Sequence, residues 1–106
     1  MSIDLEAQWQ YQQAMWKLAE LVLRRNHALL RLNTMATLPL GLTPASGMLA
    51  EFDSRAARKL LDEIDRQTAK INDALAEANH CGALCGSPQV TWRPVPLFRD
   101  GRTRED

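Results

Sequence analysis

Cysteine is scarce in this chain. Cys81 and Cys85 alone cannot build the disulfide framework that staples small secreted domains. Reduced thiols in a cytoplasmic protein are the expectation. Long apolar runs are missing as well, so no segment reads as a bilayer span and no membrane partner is expected. The first residues carry Asp4 and Glu6 in place of a basic stretch, which argues against a secretory signal. Net charge is +0, and neither sign dominates any part of the chain. Residues 1–43 hold four basic and three acidic groups, residues 44–81 five and seven, residues 82–106 four and three. Non-specific phosphate binding needs a strong local positive excess, so nucleic acid is disfavoured as a partner.

Catalytic motifs are absent too. There is no glycine-rich phosphate loop, no G-x-S-x-G elbow and no H-E-x-x-H helix. Asp62, Glu63 and Asp65 are acidic neighbours, but Arg58, Lys59 and Arg66 surround them. A solvated helix face explains that pattern better than acid–base chemistry. The densest chemical cluster is His80, Cys81 and Cys85. A structural zinc site needs about four such ligands, and His27 is the only other histidine. In an antiparallel hairpin the two histidines would lie more than ~30 Å apart at about 1.5 Å per residue. Glu77 and His80 match the Glu-x-x-His spacing of carboxylate di-iron bundles. On a helical wheel centred on Leu75, however, they point about 160° and 140° away from the apolar stripe. No cofactor is expected, and His80, Cys81 and Cys85 remain only weak metal candidates.

What the chain does have is helical periodicity over residues 3–35 and 54–81. Gln10, Gln13, Lys17, Glu20, Arg24, His27 and Arg31 recur at three and four and form one polar stripe on the first segment. Nearly everything else in its middle is apolar. Trp9, Trp16, Leu23 and Leu30 stand a heptad apart and read as the centre of the buried face. Met15, Val22 and Leu29 flank them, Tyr11, Leu18 and Leu32 lie off another edge, and Ala14, Leu21, Ala28 and Met35 widen the surface. One neighbouring helix needs about three apolar positions per heptad, and this segment offers more. A second covering surface is therefore implied.

The turn at 36–43 contains Pro39 and Gly41, which break the helix, and an apolar trio, Leu38, Leu40 and Leu42. Thr43-Pro44 then reads as a helix restart. The phase slips near Asp53: the stripe of Ala57, Leu60, Leu61, Ile64, Ile71, Leu75 and Ala78 does not continue back through Phe52. Residues 44–52 are thus either a short third helix or a kinked beginning, with Asp53 or Ser54 capping the long helix beyond them, or else part of one unbroken helix with Phe52 facing a second partner. Glu51 with Arg55 and Asp62 with Arg66 have the spacing of helix-surface ion pairs. Gly82 marks the expected C-cap region. From residue 87 the chain turns to Pro88, Pro94 and Pro96, interleaved with Trp92 and Phe98, which reads as an extended tail with a charged, frayed end.

The expected architecture is all-α. A helical domain over 1–86 forms a long antiparallel hairpin that dimerises into a bundle, and residues 87–106 fold back toward Trp9, Tyr11 and Trp16. The expected function is non-catalytic binding of a protein partner, as an adaptor, inhibitor or regulator, of the kind found among phage and plasmid accessory proteins. Trp9, Trp16, Trp92 and Phe98 are the candidate contacts, with Arg24 and Arg31 on the polar stripe. The aromatic side chains serve equally well as core. The alternative function is a small metal-binding or nucleic-acid-binding helical protein.

Overall fold

A computed structural model of the protein describes the backbone of residues 2–95 and the side chains of residues 5–95. Two helices dominate it, α1 at Ser2–Thr37 and α2 at Ser54–Leu84, with no strand among the described residues. At about 1.5 Å per residue, α1 is ~54 Å long. The helices pack along each other as a hairpin measuring 70 × 34 × 17 Å. Its radius of gyration, 20.0 Å, is well above the ~13 Å of a compact domain of this length.

The connection contains two 3-10 turns, Leu38–Gly41 and Pro44–Ser46. At Thr43-Pro44 the chain makes a single 3-10 turn in place of the expected helix restart. The backbone N–H of Thr43 donates to Ser46 Oγ at 3.3 Å, and that hydroxyl donates to Thr43 O at 2.7 Å. It ends after three residues, at Gly47 with φ 84°, so the short third helix expected over 44–52 is a single turn. α2 then begins where the phase slip placed its start. Asp53 caps it by accepting from the backbone N–H of Ala56 at 3.0 Å. Replacing Asp53 with Ala removes that acceptor and is expected to cost about 1 kcal/mol, readable as a lower midpoint in urea unfolding.

The other end of α2 corrects an expectation. Gly82 lies inside the helix, which runs on to Leu84. The C-cap belongs to Cys85 and Gly86: Gly86 takes φ 78°, and the backbone N–H of Ser87 donates to Gly82 O at 2.8 Å, closing a Schellman turn. Gly82 instead makes room for a ring. A Cβ built there would stand 3.0 Å from Cε1 of Tyr11.

The hairpin seam follows a strict four–three alternation. On α1 it comprises Ala7, Tyr11, Ala14, Leu18, Leu21, Arg25, Ala28 and Leu32, all buried or half-buried. On α2 it comprises Ala57, Leu60, Ile64, Gln67, Ile71, Ala74, Ala78 and Cys81. This is coiled-coil spacing, averaging 3.5 residues per turn. Ala14, Leu18, Leu21, Ile71, Ala74 and Ala78 form its centre, with Met15, Val22 and Leu75 packed beside them. Alanines on both helices let the axes approach closely, since interaxial distance follows side-chain size at the contact.

A polar side chain of α2 stands in the seam. Gln67 is buried, and its Nε2 donates to Glu63 Oε2 at 2.8 Å. Its Oε1 is buried and meets no donor among the described residues. The Gln67 amide, with Arg66 beside it, holds the Glu63 carboxyl below its ordinary value. This contribution to stability is complete above the ordinary glutamate value and is lost as the pH falls through the lowered one. Gln67→Leu removes the orphaned carbonyl. It also removes the bond to Glu63, and is expected to return the Glu63 pKa toward its ordinary value, measurable by carboxyl NMR.

Candidate functional site

The sequence placed Trp9, Trp16, Leu23 and Leu30 at the centre of the buried face. The structure places them on the outside, at 58%, 62%, 69% and 64% exposure. The reason is angular. Trp16 is two residues from both Ala14 and Leu18, so it points about 160° away from each at 100° per residue. The same holds for Trp9 between Ala7 and Tyr11. The seam uses the small-residue face of α1, and the bulkiest side chains project from the opposite side. Leu5 extends their row toward the N-terminus and is equally exposed.

Beside this stripe runs the polar line foreseen from the sequence. Gln10, Gln13, Lys17, Glu20, Arg24, His27 and Arg31 are all at least partly exposed. Arg24 pairs with Glu20 at 3.0 Å. Arg66 pairs with Glu63, its neighbour at i,i+3, and not with Asp62 at i,i+4. Arg24, His27 and Arg31 share a groove of about 510 Å³ with Lys59, Glu63 and Arg66. Its lining carries four permanent cations and one carboxylate.

The tail does fold back, but not to the N-terminal tryptophans. Asn79 clamps Val90 from both sides: its Nδ2 donates to Val90 O at 2.9 Å, and its Oδ1 accepts from Val90 N at 2.8 Å. Two residues on, Trp92 Nε1 donates to Asn72 Oδ1 at 2.8 Å. The guanidinium of Arg25 stands 5.9 Å from the centroid of the same ring. Asn72 and Arg25 lie near the middle of the hairpin, so Trp92 is not gathered with Trp9 and Trp16. Still half-exposed, it works as a latch for the tail. Phe98 lies outside the described residues.

The chemical cluster near the end of α2 is dispersed by the helix. Cys81 is buried in the seam, Cys85 is half-buried at the cap, and His80 faces out. Among the described residues no group of three or more His, Cys, Asp or Glu side chains is placed to hold a metal ion. Among the described residues no helix is long and apolar enough to cross a membrane. At the turn end four more apolar side chains are exposed, Leu38, Leu40, Met48 and Leu49. They sit on the first 3-10 turn and on the irregular chain after the second.

The class defined by this geometry is a two-helix antiparallel hairpin whose seam interleaves alanines with Leu18, Leu21 and Ile71, and whose α1 tryptophans project outward. Comparison with protein-family models, curated proteins and solved structures gives no significant match, so the displayed face has to be understood from its own chemistry.

Proposed function

We propose that this protein works without catalysis, by binding another protein chain through the outer face of α1, as a small adaptor, inhibitor or regulator. The observation that carries the reading is the exposed row Trp9, Trp16, Leu23 and Leu30. Large apolar side chains standing in line on a helix are costly in water unless something covers them. Tryptophan in particular concentrates binding energy at interfaces. Arg24 and Arg31, on the adjoining polar line, fit the rim of such a contact, where charge steers the partner and sets salt dependence. Trp92 is held by the hairpin itself and belongs to this surface less than the sequence suggested. The free thiols of Cys81 and Cys85 suit the cytoplasmic setting that the proposal assumes.

The test is a comparative pull-down from the native host. Wild-type protein is set against a Trp9→Glu, Trp16→Glu double variant whose helical circular dichroism matches it. A partner retained by the first and lost by the second supports the reading. Equal recovery from both contradicts it.

The cationic groove of Arg24, Arg31, Lys59 and Arg66 favours a second reading, contact with the phosphates of a nucleic acid. That reading requires a gel shift that weakens between low and physiological salt; no shift at low salt removes it.

A further inference from the structure

We infer that the partner on the outer face of α1 is a second copy of this chain, and that the two α1 helices cross antiparallel about a two-fold axis near Ala19. This deepens the function proposed above and rests on it. The row runs from Leu5 to Leu30, ~37 Å of helix at about 1.5 Å per residue. Leu5, Trp9, Trp16, Leu23 and Leu30 together expose on the order of 600–700 Å² of side chain, close to the ~800 Å² per partner of a standard stable interface. A surface of that size on a slim hairpin is enough for a dimer without help from the turn or the tail.

The order of residues along the row sets the polarity. Its N-terminal half carries the two indoles, Trp9 and Trp16, and its C-terminal half carries the slimmer Leu23 and Leu30. Ala19, exposed and small, stands between the halves. Antiparallel pairing lays each thick half on a thin half, so the separation between the helices stays even along their length. Parallel pairing would crowd four indoles at one end and leave the leucines out of reach at the other. Interiors pack at uniform density, and neither a void nor an overfilled layer is tolerated cheaply. Two-fold symmetry also closes the assembly at two chains, because each copy offers the same patch. The row faces away from α2, so the dimer is a flat line of four helices with the two α1 helices inside.

Cross-linking between engineered cysteines reads the polarity directly. In a Cys81→Ala, Cys85→Ser background, Gln12→Cys and His27→Cys are made separately; both positions are at least partly exposed and border the row. Antiparallel pairing brings residue 12 of one copy level with residues 23–30 of the other. Mild oxidation of the mixed variants is then expected to give a disulfide dimer, with at least 10-fold less from either variant alone. Efficient cross-linking of each variant with itself would establish the parallel arrangement and overturn the proposal. Sedimentation equilibrium of the unmodified chain and of Leu23→Glu supplies a readout that does not depend on the cysteine background. The unmodified chain is expected at twice its 12.0 kDa mass, and Leu23→Glu at the single mass, its dissociation constant raised by ~100-fold or more. A single-chain mass for the unmodified protein at micromolar concentration sinks the second copy as occupant. If the pull-down above still depends on Trp9 and Trp16 in that case, the cover is a foreign protein and the broader function stands. If the indoles of the monomer are shielded from quenchers, the chain's own residues cover the row and both readings fall.

Discussion

Ile71→Ala is expected to lower the unfolding free energy by about 2–5 kcal/mol, the range for truncating a buried aliphatic side chain. Ile71 is the largest fully buried side chain, at 2% exposure, and it lies in the central cluster with Leu18 and Leu21. Its seam neighbours toward the C-terminus, Ala74 and Ala78, are too short to fill the space, while Leu18, Leu21 and Leu75 are already packed in the cluster. The cavity should therefore persist, which puts the cost toward the upper end. A single domain has only about 5–15 kcal/mol of stability, so the substitution removes a large share of it. Urea unfolding followed by circular dichroism provides the check, and a loss below about 1 kcal/mol would mean that the seam has been misassigned.

Substituting Trp9 and Trp16 together with glutamate is expected to do the reverse. The hairpin keeps its helicity, because neither ring takes part in the seam. Association falls sharply instead, by at least ~100-fold, since each central tryptophan of an interface commonly accounts for about 2 kcal/mol or more. If the proposed dimer forms, a small secondary loss of unfolding free energy at micromolar concentration is also expected by mass action. Circular dichroism and light scattering on the same samples separate the two effects. If the double variant unfolds at every concentration, the tryptophans are core and the outer face is not a binding surface. The contrast between Ile71 and Trp16 therefore tests which side of each helix is inside.

That distinction was the part of the fold that the sequence did not yield. The two helices, the polar stripe, the phase slip and the cap at Asp53 follow from spacing and local chemistry, and the structure contains them all. The buried face was misread because size was taken for centrality. Trp9, Trp16, Leu23 and Leu30 carry the most apolar surface, whereas the hairpin uses Ala7, Ala14 and Ala28 against Ala57, Ala74 and Ala78. The usable signal was a set of small residues at heptad-related positions, Ala7, Ala14 and Ala28 on α1 with Ala57 and Ala78 on α2, interrupted by Leu21, Ile64 and Ile71. Gly82 was misread for a related reason. A glycine near a helix end suggests a cap, yet here its missing side chain accommodates the Tyr11 ring, and the cap falls to Gly86 four residues later. Where Trp92 would dock depended on Asn72 and Asn79, whose roles appear only once the tail is laid along α2. The over-apolar character of α1 was legible, and it survives in sharper form as two apolar faces on opposite sides of one helix.

In the proposed assembly the outer tryptophan face is open in one chain and covered by another. Acrylamide quenching of Trp16, in a variant with Trp9→Phe and Trp92→Phe, tests it most directly when measured over a wide range of protein concentration. Strong quenching is expected at nanomolar protein, weakening along one binding curve as the concentration rises to micromolar. Quenching that is weak and independent of concentration would place Trp16 in the core of the single chain and leave no open face for a second copy.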